Sequence, residues 1–180
     1  VLGFALALLC ALPAVSPNAL AAEHSGSMAD DAVPVAEAGT LWGDGGTSWY
    51  RSDRDLIVDE RIEVTGDVHL ILEDGTTLEA RAGITVPEGS SLTICGQTGQ
   101  TGTLLASGQD SSAGIGGAGV GSGEVAHASR PSSGQIRIDG GRIVATSQKN
   151  AAGIGAGRGE HCGDITIAGG VVDATGGYNG

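Results

Sequence analysis

The sequence predicts an all-β fold, a right-handed parallel β-helix (β-solenoid) with coils of about 29 residues. Two observations predict it: short β-branched segments bounded by turn residues, and blocks of sequence that recur at fixed offsets. The composition agrees, because aromatic residues make up 3% of the chain and 33 of its 180 residues are Gly. A core of Ile, Val, Leu and Ala in narrow layers suits stacked strands.

The first strands are expected where short apolar segments alternate with polar residues. They are Ile62-Glu63-Val64, Val68–Leu72, Ile84-Thr85-Val86 and Leu92-Thr93-Ile94. Gly66-Asp67, Asp74-Gly75 and Pro87-Glu88-Gly89 separate them and are typical of turns. Nothing after residue 21 has a sustained helical period, so we expect strands joined by turns.

The second half of the chain repeats itself. Gln135–Gly141 recurs as Asp164–Gly170, and Ser112–Gly116 recurs as Ala151–Gly155. A third block, Arg142–Thr146, matches Val171–Thr175, and Thr103–Ser107 fits the same template. Internal repeats of this length are typical of solenoids.

The spacing of these blocks indicates a true period. The interval from Ile136 to Ile143 equals that from Ile165 to Val172, and the interval from Leu104 to Ile115 equals that from Ile143 to Ile154. The last unit, from Ile136 to Ile165, is nevertheless shorter than the unit before it, from Gly102 to Gly141. The excess falls wholly between Ile115 and Ile136, which predicts an insertion around Ser122 to Pro131, within 119–133.

A unit of this size cannot bury a core alone, so it must stack on its neighbours. Alternation places Ile136 over Ile165 and Ile143 over Val172 in inner columns, with Ala106, Ala145 and Ala174 forming another column. Because Asn179-Gly180 aligns with Asn150-Ala151, we expect further repeats after residue 180.

The N-terminal part of the chain predicts export. Val1–Leu12 is an apolar run and Ala19-Leu20-Ala21 a small-x-small site, so residues 1–21 are interpreted as a secretory signal peptide. A membrane helix is the weaker alternative, since a span needs about 20 apolar residues. We expect a flexible acidic spacer over 22–46, an N-terminal cap and first β-helix strands over 47–110, and incomplete glycine-rich β-helix repeats over 111–180.

Charge and cysteine content limit the partners. A formal net charge of −12 argues against binding to nucleic acid or anionic lipid, and an acidic partner is not expected. Cys95 and Cys162, the cysteines after residue 21, leave open one disulfide or two free thiols. We expect a secreted protein attached to the cell surface through a segment not present here, with membrane contact only through the signal peptide or such an anchor.

The residues Gly66–Gly75, Ser91–Gln97 and the Ala-Gly-Ile-Gly and Gly-Gly-x-Val/Ile-x-Ala-Thr blocks resemble those of large secreted cell-surface repeat proteins of gut Gram-positive bacteria. The resemblance covers about residues 49–180. It implies a β-helical stalk or adhesin-like module, sometimes labelled carbohydrate-binding, and brings no catalytic residues. Cell-wall or host glycans, or surface proteins, are the partners it suggests.

Three patterns that could carry chemistry are interpreted as structural. Gly114–Gly119 has the spelling G-x-G-x-x-G, but no helix follows it to hold a pyrophosphate. Gly116–Gly121 lacks the Asp of a calcium-binding glycine-rich repeat. His127, His161 and Cys162 have no second ligand at a metal spacing. No metal and no cofactor are expected.

The function predicted is a non-enzymatic scaffold or adhesin-like repeat protein, with a carbohydrate-binding or carbohydrate-active β-helix protein as the alternative. The weak candidates for ligand binding are Trp42, Trp49, Tyr50, His127 and Arg130. We expect Trp49 and Tyr50 to cap the N-terminal end of the core. An enzyme would need Asp139, Asp164 and Asp173 close to Arg137, Arg142 or Arg158.

Overall fold

The computed structural model describes residues 31–120 and 131–178. In these ranges it contains short strands and one helix of four residues, α1 (Val35–Ala38). The strands are β1 (Val33–Pro34), β2 (Leu41–Trp42), β3 (Thr47–Ser52), β4 (Leu56–Val58), β5 (Ile62–Val64), β6 (Asp67–Leu72), β7 (Thr77–Ala80), β8 (Ile84–Thr85), β9 (Ser91–Gly96), β10 (Thr103–Gly108), β11 (Ile115–Gly116), β12 (Gln135–Ile138), β13 (Arg142–Ser147), β14 (Ile154–Gly155), β15 (Ile165–Ile167) and β16 (Val171–Thr175).

The strands form three parallel sheets, and each coil from β3 to β14 contributes one strand to each sheet in turn. Sheet 1 has the order β1-β3-β6-β9-β12-β15, sheet 2 the order β4-β7-β10-β13-β16, and sheet 3 the order β2-β5-β8-β11-β14. Neighbouring strands in every sheet therefore come from successive coils. This is the architecture of a parallel β-helix, as predicted.

The predicted columns are present in the register of the strands. Ile136 pairs with Ile165, and Ile143 pairs with Val172. Ala106, Ala145 and Ala174 are aligned in the neighbouring column. The alternation that the sequence predicted thus sets which residues stack from one coil to the next.

The core is the space between the inner faces of the three sheets. Leu70, Leu78, Leu104 and Ile115 are fully buried there, and branched or aliphatic side chains from all three sheets contact them. Burial of one such side chain stabilises the fold by about 1.5–3 kcal/mol. A column of them therefore stabilises each coil against its neighbours.

The coil length is not uniform, and the repeat predicted from the second half of the chain describes only the last coil. In sheet 1, Thr47 pairs with Asp67 and Asp67 with Ser91, so the first coils are shorter than the predicted repeat. Ser91 then pairs with Gln135, across a much longer coil, and Ile136 pairs with Ile165 at the predicted spacing. Strands keep their register while turns change in length, because only the strands must satisfy the backbone hydrogen bonds of the sheets.

The predicted insertion lies in the longest coil. In sheet 1 this coil runs from Ser91 to Gln135, and its extra length over the last coil falls mostly between β11 and β12, with the rest between β9 and β10. Residues 121–130, which include His127 and Arg130, lie outside the described residues. Ser132 and Ser133, after this segment, form isolated bridges with His161 and Pro87.

The N-terminal segment corrects two predictions. A flexible spacer over 22–46 is wrong for its described part, because β1, α1 and β2 lie within residues 33–42 and Val35 and Trp42 are buried. Trp42 and Tyr50, with ring centroids 5.3 Å apart, fill the core at its N-terminal end. Trp49 lies on the outside, so the capping pair is Trp42 and Tyr50. Burial of the two aromatic rings stabilises an ordered structure in this segment, although most of the residues around them are small or polar.

The last described coil has exposed inner-row side chains. In β15, Ile165 is 38% exposed and Ile167 is 56% exposed. No described residue packs over this coil. The described residues include no candidate membrane-spanning helix. The signal peptide predicted over residues 1–21 lies outside them.

Candidate functional site

The outer face of sheet 1 brings together charged, aromatic and hydroxyl side chains; we call it the mixed face. Alternation along its strands points every second residue outward. Its outward rows, read from coil to coil, are Thr47, Asp67, Ser91 and Gln135; Trp49, His69, Thr93, Arg137 and Thr166; and Arg51, Ile71, Cys95 and Asp139. Side chains far apart in sequence become neighbours because each row crosses successive coils.

Trp49 and His69 form the aromatic part of the mixed face. Trp49 is paired with His69 across β3 and β6, and their rings stack with centroids 4.2 Å apart and planes 14° from parallel. Trp49 also lines an open groove of about 310 Å³ with Asp31, Val33 and Ser48. An aromatic side chain of the mixed face thus borders a space that a ligand can enter.

Asp67 joins several polar groups of the mixed face. Ser91 Oγ donates to Oδ1 of Asp67, while Oδ2 lies 3.3 Å from Thr47 Oγ1 and 3.2 Å from His69 Nε2. The hydrogen bond from Ser91, followed by the interactions with His69 and Thr47, lowers the pKa of Asp67. Asp67 is therefore a carboxylate at neutral pH, and it holds His69 beneath Trp49.

Ion pairs border the mixed face. Arg137 contacts Asp139 at 2.7 Å and Arg51 contacts Glu73 at 3.5 Å. Cys95 lies in the same outward row as Arg51 and is buried against Ile71 and Ala32. Burial raises the pKa of the Cys95 thiol to about 11, so this thiol stays protonated at neutral pH.

A second open groove runs along the corner between sheets 3 and 1, and we call it the acidic groove. It has a volume of about 500 Å³ and its lining includes Asp67, Glu88 and Asp164, together with serine and glycine residues. Its described lining contains no Lys or Arg. Within 31–120 and 131–178, no group of three or more His, Cys, Asp or Glu side chains is arranged to hold a metal ion.

Charged and polar side chains are scattered over the outer face of sheet 2. One of its outward rows contains Thr77, Thr103, Arg142 and Val171, and another contains Glu79, Leu105, Val144 and Asp173. Charged, hydroxyl and aliphatic side chains follow one another without clustering.

The five ligand-binding candidates separate into three groups. Trp42 and Tyr50 are buried, with Trp42 Nε1 donating to Gly39 O at 3.2 Å and the Tyr50 hydroxyl accepting from Gly43 N at 2.7 Å. Neither ring can stack on a ligand while it fills the core. Trp49 lies on the mixed face, and His127 and Arg130 lie outside the described residues.

The carboxylates considered for an enzyme lie apart. Asp139 is in the mixed face and paired with Arg137, Asp164 lines the acidic groove, and Asp173 points out of sheet 2. Asp164 is aligned next to Gln135 at the start of β12, whereas Asp139 follows the end of this strand, about 13 Å further along. Glycosidases hold their two carboxyl groups about 5–9.5 Å apart.

Sequence reasoning missed Asp67 and His69 as neighbours of Trp49. The spacing between β3 and β6, which pairs Thr47 with Asp67, has no counterpart among the recurring blocks, so no repeat indicated it. The one available signal is local: Ser48-Trp49-Tyr50 and Val68-His69-Leu70 share the alternation of strands. That signal shows outward positions but not which of them are paired.

The remaining motifs have structural roles. Cys95 and Cys162 are free thiols, the first buried and the second exposed. In the G-x-G-x-x-G sequence, Ile115–Gly116 form β11, and no helix follows in the described residues. The glycines let successive coils approach closely: Gly117 N donates to Gly155 O at 2.8 Å.

Comparison of the chain with protein-family models, with curated proteins and with solved structures finds no match.

Proposed function

We propose that the protein is a non-enzymatic scaffold or adhesin-like module, secreted or held at the cell surface, that uses the mixed face for contact with a partner. The observation that carries the proposal is the distribution of polar groups. Aromatic, charged and hydroxyl side chains collect on the mixed face, whereas the candidate catalytic carboxylates are dispersed.

The grooves support a binding role over a catalytic one. A lyase needs a base near a cation that neutralises the substrate, and a glycosidase needs two carboxyl groups at a set separation. The acidic groove supplies carboxylates with no Lys or Arg in its described lining. Asp139, the acid nearest to an arginine among the three candidates, already forms two contacts with it, at 2.7 and 3.0 Å.

Two measurements test the proposal. The protein is incubated with neutral and acidic polysaccharides, and reducing ends and unsaturated products are followed over many turnovers; we expect neither. Protease treatment of intact producing cells is expected to remove the protein from the surface. Sustained release of sugar products would overturn the non-enzymatic assignment, and recovery of the protein from inside protected cells would overturn the surface assignment.

Carbohydrate binding is the second candidate function, and the Trp49–His69 stack favours it. A sugar ring binds on an aromatic face while hydroxyl and charged groups accept and donate hydrogen bonds at its rim. Trp49 borders a groove, Asp67 is hydrogen-bonded to the stacked His69, and Thr93 and Arg137 follow in the same row on the next strands.

A glycan array with the wild type and Trp49→Ala tests this candidate. We expect the variant to lose binding by about tenfold, corresponding to the roughly 1.4 kcal/mol of one good aromatic contact. Ile57→Ala is the matched control, because Ile57 is 50% exposed on sheet 2. Silence of the wild type on all glycans, or an equal loss in both variants, would remove carbohydrate binding by this face.

A further inference from the structure

A third groove, at the corner between sheets 2 and 3, collects positive charge, and we call it the cationic groove. Its volume is about 620 Å³, and Arg61, Lys149 and Arg158 line it. Asp110 is the one carboxylate of its described lining. Three cations against this one carboxylate make the lining positively charged, in a chain with 21 acidic and 9 basic residues.

The cations of this groove are not consumed by ion pairs. The described residues include eight Lys and Arg side chains, of which Arg51, Arg54, Arg81 and Arg137 pair with carboxylates. The other four are Arg61, Arg142, Lys149 and Arg158, and three of these line the cationic groove. These three side chains pair with no described carboxylate and lie around one groove. Their positive charge is therefore available to an external anion.

Arg61 contributes a fixed positive charge at the base of the groove. Its guanidinium donates to the carbonyl oxygens of Ala82 at 2.6 Å, Ala113 at 3.1 Å and Gly117 at 3.2 Å. Carbonyls satisfy its N–H groups without cancelling its charge. Burial lowers the pKa of Arg61 to about 10, so the side chain remains charged at neutral pH.

Lys149 and Arg158 are held at the sides of the groove by their backbones. Arg158 N donates to Ser111 O at 2.8 Å, and Arg158 O accepts from Val120 N at 2.9 Å. Lys149 forms a parallel bridge with Tyr178, which lies at the rim and is 69% exposed. Another acid near this corner, Glu160, is close enough for its charge to favour the charged form of Arg61, and its carboxylate is bound by the amides of Gly119 and Gly157 at 3.1 and 2.8 Å.

We propose that the cationic groove binds an oxyanion group, of the carboxylate, sulfate or phosphate class, through Lys149 and Arg158. The planar guanidinium of Arg158 offers two parallel N–H donors to such a group, and Lys149 offers a point charge beside it. The buried charge of Arg61 adds attraction that solvent screens weakly. This local excess of positive charge overrides the expectation, drawn from net charge alone, that the protein has no acidic partner.

Titration with sodium sulfate, sodium phosphate and sodium glucuronate, each at constant ionic strength against sodium chloride, tests the proposal and identifies which oxyanion is preferred. Amide resonances of Ser111, Gly119 and Arg158 are followed by NMR. We expect saturable shifts for at least one probe, with a dissociation constant in the range of about 1–10 mM or tighter. Resonances of the mixed face, such as Thr93, are expected to stay in place.

Three single variants and one double variant complete the test. Arg158→Gln and Lys149→Gln are each expected to weaken binding by about tenfold, because each removes one charged contact of about 1.4 kcal/mol. Arg142→Gln removes an exposed arginine of sheet 2 outside the groove and is expected to change the affinity less than twofold. Urea denaturation of every variant establishes that it is folded. Absence of saturable shifts in the wild type, an equal effect of Arg142→Gln, or unchanged affinity in the Lys149→Gln/Arg158→Gln double variant would overturn the proposal.

Discussion

Single polar side chains tie successive coils together, and Arg61 is the clearest case. It lies in the turn between β4 and β5, and its guanidinium reaches the corresponding turns of the next two coils through Ala82 and Ala113. A buried arginine is costly unless all its donors find acceptors. The N–H donors of Arg61 all have acceptors, so this side chain links three successive coils by hydrogen bonds.

Replacement of Arg61 measures how much these hydrogen bonds between coils stabilise the fold. Arg61→Met keeps much of the side-chain volume but leaves the carbonyls of Ala82 and Ala113 without their donor. We expect the free energy of unfolding to fall by about 2–4 kcal/mol. Urea denaturation followed by circular dichroism gives the value. Arg142→Met, on the exposed outer face of sheet 2, is the control and is expected to change it by less than about 0.5 kcal/mol.

Asp74 performs a similar role at the turn between β6 and β7. Its Oδ1 accepts from Thr101 N at 2.9 Å and its Oδ2 from Gly99 N at 2.7 Å, both in the next coil. These backbone hydrogen bonds, that of Thr101 first, lower the pKa of Asp74 below its ordinary value of 3.8. The ionised form is thus favoured in the folded protein.

This shift has a defined effect on acid stability. Because the folded pKa lies below the unfolded one, the stabilisation by Asp74 is present above about pH 4 and is lost as the pH falls through the folded pKa. The wild type should therefore lose more stability between pH 5 and pH 2 than Asp74→Asn does. Thermal unfolding across this range checks it, with Asp173→Asn as control. Identical pH profiles for wild type and Asp74→Asn would contradict the role given to these hydrogen bonds.

At the scale of the element, the corners of the coil need glycine for two different reasons. Gly75 has a φ of +81° and open space around it, so its requirement is conformational. Gly116 has a φ of +131°, and a Cβ there would collide with the carbonyl oxygen of Gly155 in the next coil. The second glycine therefore sets how closely two coils stack.

Alanine at these two corners separates the two reasons. Gly75→Ala is expected to cost about 1–2 kcal/mol, which is the strain of a left-handed alanine. Gly116→Ala adds the collision with Gly155 and is expected to cost at least about 3 kcal/mol or to prevent folding. Urea midpoints of the two variants, with the yield of folded protein, give the comparison. Equal costs would mean that the backbone of Gly155 yields easily.

At the scale of the whole molecule, stability is built from contacts between neighbouring coils. Leu70 is fully buried between Tyr50 and Ile94, which pair with it on either side. Ile167 occupies the same inner column in the last described coil but is 56% exposed. One column thus contains an aliphatic side chain covered on both sides and another that is exposed to solvent.

Truncation along this column tests the stacking of coils. Leu70→Ala is expected to lower the free energy of unfolding by about 2–5 kcal/mol, because it leaves a cavity with neighbours on both sides. Ile167→Ala should cost less than about 1.5 kcal/mol, since its side chain is already in contact with water. Denaturant titration of both variants measures the difference. A larger cost for Ile167→Ala would mean that the last coil is covered in solution.

The repeated half of the chain was predictable down to single pairs. Ile136 with Ile165, and Ile143 with Val172, follow from equal offsets between like blocks. The first coils were not predictable, because their lengths differ from one another and match no recurring block. The prediction of a spacer was wrong at Val35 and Trp42, because two isolated apolar residues show no period in the sequence. Both are buried at the N-terminal end of the core.

The all-β class, the stacking of coils and the place of the insertion follow from the linear chain, because alternation and recurrence can be read in it directly. Which outward side chains meet depends instead on how the coils are stacked in the folded protein. Trp49 joins His69 and Asp67, and Arg61 joins Lys149 and Arg158, across coils whose turn lengths differ. A longer turn adds little to the entropic cost of closing a loop, so turn lengths vary from coil to coil. The neighbours of an outward side chain on adjacent strands are therefore set by the register of the sheets.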